Sequence, residues 1–171
     1  TVTTQLYMEK AQPSTTEDGV EIAEFDWYDY VDDAPTDLKY SVLWSSVPGS
    51  AVEIHGFAWG TDAITTFDPP LAVTDSDDKM LNGDAVTSTS TGSDGVTYTV
   101  TGTLVEAVPE CPTTWISSWT DCIHYNIDDG GVGLPFAGDY TLEVDYGPAY
   151  FQLTGDPAQW TLLRYDYAAS E

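Results

Sequence analysis

Short runs of alternating apolar and polar residues recur along the chain, separated by glycine, proline, aspartate and asparagine. A period of two residues is typical of a β-strand with one buried face, and no long 3.6-residue period indicates an amphipathic helix. The pattern predicts about ten strands, at residues 20–30, 38–47, 51–59, 85–91, 95–108, 114–119, 122–127, 139–145, 149–154 and 159–167.

Three pairs of these runs flank short turn sequences, PGS at 48–50, GSD at 92–94 and YGP at 146–148. Glycine, proline, serine and aspartate favour hairpin turns, so each pair is predicted to form a β-hairpin. Pro69 and Pro70 exclude a helix there and favour an extended segment. The fold class predicted is therefore all-β, as a single-domain, jelly-roll-like β-sandwich.

The first twelve residues are treated apart from the sandwich domain, which is assigned to 13–171. The opening sequence TVTTQLYME has the composition of a strand. It is either an edge strand paired within its own chain or a strand donated to a neighbouring subunit. In the second interpretation the donor side chains are Val2, Leu6, Tyr7 and Met8.

Two cysteines, Cys111 and Cys122, bracket the loop-like sequence PECPTTWISSWTDC. Two cysteines in an oxidising compartment are expected to form one disulfide, which would contribute roughly 3 kcal/mol by restricting the unfolded chain. The alternative is a pair of buried thiols. The disulfide and the start at Thr1 rather than methionine together predict an exported, processed protein.

The chain carries 29 acidic and four basic residues, for a formal net charge of −25. Four bases cannot form a patch that neutralises phosphates, which excludes nucleic-acid binding and argues against anionic membrane surfaces. No apolar run approaches the roughly 18 residues of a membrane span, so no membrane insertion is expected. The charge is screened at moderate salt, and a marine or saline habitat is compatible with it.

Local crowding of acids is greatest in the sequence DSDDKMLNGD. Calcium binds six to eight oxygens from carboxylates, amides and carbonyls, often at alternate loop positions. The loop therefore predicts a structural Ca²⁺ site, with a solvated acidic turn as the alternative and no other cofactor expected. Its ligands would be Asp75, Asp77, Asp78, Asn82 and Asp84. The pairs at 32–33 and 128–129 are weaker versions of the same pattern.

Aromatic and threonine side chains give two candidate binding surfaces. Trp27, Tyr28, Trp115 and Trp119 are the candidate ligand or interface aromatics, because exposed rings stack on sugars and anchor protein interfaces. Core filling is the alternative for each. Alternating threonines at 87–91 and 97–103 would lie on one sheet face, where they could bind ice or a polysaccharide or form an ordinary solvated surface.

Catalytic motifs are absent from the sequence. Glu53 and His55 share one face of a predicted strand, and His124 is distant in sequence; nothing in the sequence places a nucleophile beside them. A non-enzyme is therefore predicted, with a secreted hydrolase as a minor alternative.

These observations favour a structural subunit of an extracellular assembly such as a fibre, appendage or surface coat. Copies of the chain would self-associate into a homopolymer by strand addition at the cell surface. The alternative is a secreted carbohydrate-binding or adhesive β-sandwich module whose partner is a polysaccharide.

Overall fold

A computed structural model of the chain describes residues 5–10, 15–17, 19–32, 34–46, 51–74, 83–108, 122–143, 147–154 and 160–161. Every regular element in these ranges is a β-strand, and none of the residues described forms a helix. The strands are β1 (Gln5–Lys10), β2 (Thr15–Glu17), β3 (Val20–Val31), β4 (Ala34–Ser46), β5 (Val52–Trp59), β6 (Thr65–Ala72), β7 (Val86–Thr91), β8 (Thr97–Val108), β9 (Cys122–Asp128), β10 (Gly138–Glu143), β11 (Gly147–Leu153) and β12 (Trp160–Thr161).

The strands form two antiparallel sheets. Sheet 1 has the order β1-β3-β4-β5-β6, with β2 also paired to β3, and sheet 2 has the order β12-β11-β10-β9-β8-β7. From β3 onwards, each strand therefore neighbours the next strand along the chain within its sheet. This is the order of two meanders, whereas a jelly roll requires Greek-key crossings, which the described strands do not make.

The inner faces of the two sheets share one hydrophobic core, as in a β-sandwich. The ring of Tyr98 in β8 lies edge-on to Phe57 in β5, with 5.8 Å between centroids, and to Phe67 in β6, at 5.3 Å. Phe136, from the β9–β10 connection, adds a third contact on Phe57 at 6.3 Å. Aromatic pairs at these separations and angles stabilise the fold by more than the burial of their apolar area alone.

The two sheets are also joined at one edge, where β6 meets β7. Phe67 forms an isolated bridge to Gly92, and the Ser93 amide donates to the Thr66 carbonyl at 2.9 Å. Farther along, the Ala72 amide donates to Ser88 Oγ at 3.1 Å. The edges of β6 and β7 are thus partly closed against each other, which leaves β1 and β12 as the outermost described strands of their sheets.

The prediction of an all-β chain with antiparallel sheets is confirmed. The three predicted hairpins correspond to the antiparallel pairs β4–β5, β7–β8 and β10–β11. β4 begins at Ala34, four residues before its predicted start, and Gly147 and Pro148 belong to β11 rather than to a turn. The predicted strand at 114–119 lies outside the described residues.

Two strands, the three-residue β2 and the eight-residue β6, were not predicted. β6 contains Pro69 and Pro70, which cannot donate to a β-ladder and weaken the sequence signal for a strand. The two prolines lie where the pairing of β5 with β6 is irregular. Ile54 pairs with Leu71 and Gly56 pairs with Thr66, so the prolines lie in the stretch between these two pairs.

Candidate functional site

The N-terminal strand β1 is attached to sheet 1 through β3. It pairs antiparallel with β3 in unbroken register, from Gln5 opposite Tyr30 to Lys10 opposite Phe25. β1 stands at the end of the strand order of sheet 1, and β3 is its neighbour in that order. An edge strand of this kind presents an outer row of backbone groups to which another chain can pair.

The ladder along this side of β3 is interrupted. β1 ends at Lys10, opposite Phe25, and β2 takes over where Thr15 pairs with Ile22. Ala23 and Glu24 of β3 lie between the two ladders, and residues 11–14 connect β1 to β2 in sequence. β1 is therefore a separate six-residue unit that could leave β3 without unpairing β2.

A row of large side chains crosses sheet 1 next to this strand. The pairings place Met8, Trp27, Tyr40 and Trp59 opposite one another across β1, β3, β4 and β5. The Trp27 and Tyr40 centroids are 5.6 Å apart, and Trp59 lies edge-on to Tyr40 at 6.0 Å. Tyr40 is in the core, Met8 is half-buried, and Trp59 is 47% exposed. The docking of β1 thus extends the hydrophobic face of the sheet by one residue.

The outer face of sheet 1 near β1 carries two half-buried acids, Glu24 and Asp26. Ser41 Oγ donates to Asp26 Oδ1 at 2.5 Å, which fixes that carboxylate against β4. Burial raises the pKa of Glu24 above its ordinary value of 4.5, and the charge of Asp26 raises it further. The two acids therefore meet a partly desolvated environment at the edge where β1 ends.

A serine lies beside His55, which the sequence pattern did not indicate. Ser45 Oγ and His55 Nε2 are 2.8 Å apart, and Glu53 is the register partner of Ser45. This contact arises because β5 is irregular at His55, between the pairs Trp44–Ile54 and Leu43–Gly56. Ser45 is only 3% exposed. The pair satisfies polar groups on a packed surface.

His124 does not join this cluster. It lies on the outer face of sheet 2, in β9, where its Nε2 is 3.7 Å from Asp139 Oδ1. Asn126 Nδ2 donates to the same oxygen at 3.0 Å. His55 and His124 are on outer faces of different sheets, with the hydrophobic core between them, so they cannot share a metal ion or a substrate.

The threonine side chains form a regular array on the hairpin of β7 and β8. Thr87 lies opposite Thr101, and their Oγ1 atoms are 3.0 Å apart. Thr89 and Thr99 repeat the contact at 2.9 Å. These threonines lie on the outer face of sheet 2, whereas the intervening Val100 is fully buried. The alternation expected from sequence is confirmed, and the array adjoins an acid on the same face, because Asp128 of β9 is the register partner of Thr101.

Most of the proposed calcium ligands lie outside the described residues. Asp75, Asp77, Asp78 and Asn82 are not among the described residues, and Asp84 is exposed beside a turn at Gly83. Within the described ranges, no three His, Cys, Asp or Glu side chains are grouped as metal ligands. The calcium site stays a prediction.

The weaker acidic pair at 128–129 has a structural explanation. Asp129 is 2% exposed, and its Oδ1 accepts the Gly131 amide at 2.9 Å. Its Oδ2 accepts the amides of Gly133 at 2.7 Å and Leu134 at 2.6 Å. Both oxygens are thus engaged by backbone donors, so Asp129 stabilises the β9–β10 loop. The sequence DDGGVG, a run of acids and glycines after a strand, is the signal that would have indicated this loop.

Other predicted site residues are only partly located. Cys122 begins β9, and Cys111 lies outside the described residues, so the disulfide stays a prediction. Val2, Trp115 and Trp119 are also outside them. The backbones of Leu6 and Tyr7 lie in β1, opposite Asp29 and Tyr28. Trp27 packs on the core and Tyr28 is half-buried. Among the described tryptophans, the exposed one is Trp59, which the sequence did not single out.

Comparisons with known proteins do not assign a function. No protein-family model matches the chain, and neither a curated protein nor a solved structure matches it significantly. Within the described residues, the chain has no helix of the length and apolar character needed to cross a membrane. The fold and the geometry of its edges and faces are therefore the basis for a functional proposal.

Proposed function

We propose that this protein is a non-catalytic structural subunit of an extracellular assembly whose copies are joined by their N-terminal strands. The observation that carries the proposal is the attachment of β1. Six consecutive residue pairs hold it to β3 at the end of sheet 1, and a break in the ladder separates it from β2.

Identical chains can exchange such a strand at little cost in free energy. If β1 leaves its own β3 and pairs with β3 of another copy, the same six residue pairs and the same Met8–Trp27 register are formed. Exchange of identical elements is a common route from monomers to oligomers. One-directional donation leaves an acceptor edge free at one end and a donor at the other, and it therefore extends to a filament.

Mixed single-cysteine variants give a direct test. Tyr7 and Tyr28 are register partners, and directly opposite residues in an antiparallel pair have Cα atoms about 4.5–5.5 Å apart, which lies within the range of a disulfide. One full-length preparation carries Tyr7→Cys and the other carries Tyr28→Cys. After mixing and mild oxidation, we expect a covalent Tyr7→Cys–Tyr28→Cys heterodimer and longer species, measured by non-reducing electrophoresis and mass spectrometry.

The control pairs Tyr7→Cys with Thr99→Cys, which lies on the outer face of sheet 2. Wild-type protein mixed in the same way reports any disulfide involving the native cysteines. Equal yields of heterodimer in the test and control mixtures, with only monomers seen by electron microscopy, would show that the proposal is wrong.

The proposal includes export of the protein from the cell and a disulfide between its two cysteines. A bond between Cys111 and Cys122 would close the connection from β8 to β9, two neighbouring strands of sheet 2. It would contribute roughly 3 kcal/mol to stability through the unfolded state. Mass spectrometry of the protein before and after reduction and alkylation tests it: two alkylated cysteines without prior reduction would contradict the bond.

Structural calcium is the cation that the proposal assigns to the loop at 75–84. The net charge of −25 repels copies from one another, and a bound divalent cation reduces this repulsion locally. Isothermal titration of the full chain with CaCl₂, compared with the Asp75→Asn, Asp77→Asn double variant, tests the assignment. Equal heats for both proteins would contradict it.

A second candidate function is carbohydrate binding or adhesion by a secreted module, and the paired threonines on β7 and β8 favour it. The two threonine pairs offer regularly spaced hydroxyls, which suit a polyhydroxylated polymer. We expect sedimentation with insoluble polysaccharides to be reduced by Thr99→Lys and unaffected by Val96→Lys, an exposed position at the end of the same hairpin. Absence of binding by the wild-type chain across a polysaccharide panel would exclude this candidate.

A further inference from the structure

Three described loops lie at one end of the sandwich: 60–64 between β5 and β6, 92–96 between β7 and β8, and 129–137 between β9 and β10. The Ser93 amide in the second loop donates to the carbonyl of Thr66, just after the first loop. Phe136 of the third loop packs on Phe57, two residues before the end of β5. The three loops therefore lie side by side at this end.

Each of these loops exposes a large apolar side chain. Ile64, Val96 and Val132 are exposed, one in each loop, and the exposed Trp59 adjoins the first loop at the end of β5. Single exposed apolar residues are ordinary, whereas several at one end of a domain are typical of a surface that another molecule covers.

Hydrogen bonds hold the loops in the conformations that expose these side chains. The Val96 amide donates to Asp94 Oδ1 at 2.9 Å, which fixes the turn of the second loop. The buried Asp129 accepts the amides of the residues on both sides of Val132. A surface that is already ordered loses less conformational entropy when a partner binds to it.

The charge around these apolar residues is negative. Asp62 and Asp94 are exposed in the loops, exposed Asp128 precedes the third loop, and the three loops contain no lysine or arginine. Lys39 of β4, whose carbonyl accepts an amide of the first loop, is paired with Asp29 at 3.5 Å. Two copies that met through this end would place acid against acid, which costs free energy, and an anionic lipid surface would be repelled for the same reason.

We propose that this end of the sandwich docks a second, different protein, whose surface has an apolar centre surrounded by lysine or arginine residues. Ile64, Val96 and Val132 pack on the apolar centre of the partner, and the exposed acids pair with its basic rim. The joint between copies proposed above uses the edge of sheet 1 at β1. Docking at the loops goes beyond that joint and does not depend on it.

Two synthetic peptides of equal charge test the docking surface with the full-length protein. The probe is an amphipathic helical peptide of leucine and lysine, and in the comparison peptide serine replaces leucine. Fluorescence anisotropy of the dye-labelled peptides measures binding. We expect the leucine peptide to bind about tenfold more tightly than the serine peptide, because only it offers an apolar surface. Its binding should slow amide hydrogen exchange at 60–64, 92–96 and 129–137.

The Val96→Ser, Val132→Ser double variant removes two of the apolar contacts and should bind the leucine peptide about tenfold more weakly than wild type. Val105→Ser is the matched control, since Val105 is 54% exposed, close to the 62% of Val132, and lies in the half of β8 far from the loops. It should bind as wild type does. Thermal denaturation checks that all the variants are folded.

Equal affinity for the two peptides, equal binding by the double variant and by Val105→Ser, or slowed exchange only outside the three loops would overturn the docking surface. Sedimentation equilibrium of the protein alone tests the other occupant. Self-association that the double variant abolishes would assign this end to a second copy of the chain and would likewise overturn the proposal.

Discussion

At the scale of single residues, a short buried hydrogen bond joins sheet 2 to the segment after β6. Tyr125 Oη donates to the Val73 carbonyl at 2.5 Å, and Tyr125 is 2% exposed. Burial raises the pKa of Tyr125 to about 12, so it remains a neutral donor across the physiological range. Gly102 of β8 lies against both atoms: a Cβ built on it would lie 1.8 Å from the Val73 oxygen and 2.5 Å from Tyr125 Oη.

Gly102→Ala is therefore expected to lower the free energy of unfolding by about 2–4 kcal/mol, because neither the backbone carbonyl nor the buried ring can move freely. Thr99→Ala, on the outward face of the same strand, should change it by less than about 1 kcal/mol. Urea unfolding followed by tryptophan fluorescence measures both. A Gly102→Ala protein as stable as wild type would show that this contact is loose.

Asp129 is the second residue whose role is structural. Asp129→Asn retains the size of the side chain and replaces one acceptor oxygen with an amide that cannot accept the backbone N–H groups. We expect a loss of about 2–3 kcal/mol. Asp128→Asn is the control, because Asp128 is exposed and accepts one amide, from Gly130. Thermal denaturation distinguishes them; equal shifts for the two variants would contradict the assigned role of Asp129.

At the scale of strands and hairpins, the sequence predicts strand pairing where the alternation of polar and apolar residues is regular. It does not predict side-chain contacts where the pairing is irregular. The β7–β8 hairpin was predictable because its threonines alternate with core residues such as Tyr98 and Val100. The Ser45–His55 contact was not, since it depends on an irregularity in β5 that shifts His55 relative to β4. A one-residue shift changes which side chains meet, and the sequence pattern does not locate it.

The turn of the β7–β8 hairpin should become less stable in acid. Tyr98 Oη donates to Asp94 Oδ2 at 2.7 Å and the Val96 amide donates to Oδ1 at 2.9 Å, and both bonds lower the pKa of Asp94 below 3.8. A lowered pKa means that the stabilisation is present above pH 3.8 and is lost as pH falls through the pKa of the folded state.

We therefore expect wild type to melt at a higher temperature than Asp94→Asn at pH 6, with the difference disappearing at strongly acidic pH. Tyr98→Phe removes the larger cause of the shift. Adding Asp94→Asn to a Tyr98→Phe protein should therefore lower the melting temperature at pH 6 by less than adding it to wild type. Calorimetry across the pH range measures these differences. A constant gap at every pH would contradict the coupling of Asp94 to the hairpin.

At the scale of the whole molecule, charge determines how copies approach one another. The net charge of −25 gives a long-range repulsion that the proposed assembly would have to overcome. The Debye length falls from about 30 Å at 0.01 M salt to about 8 Å at 0.15 M. Strand pairing itself uses backbone hydrogen bonds and the Met8–Trp27 register, which depend little on salt.

The rate of assembly is therefore expected to rise steeply with NaCl up to about 0.2 M and to level off above it. Light scattering and electron microscopy across a salt series measure this rate. CaCl₂ at matched ionic strength, compared between wild type and the Asp75→Asn, Asp77→Asn double variant, separates screening from binding to the 75–84 loop, which would accelerate the wild type alone. An assembly rate that does not depend on salt would contradict the electrostatic barrier.

The pairing of β1 with β3 also has a mechanical consequence. The two strands run antiparallel through six consecutive residue pairs. In an assembly joined by donated strands, tension would pull β1 along its own axis rather than peel it from one end. All the hydrogen bonds of the ladder would then share the force and would have to break together. Such a joint would unpair readily when β1 is peeled from one end and would resist tension along the strand. This combination suits a filament that is built from separate subunits.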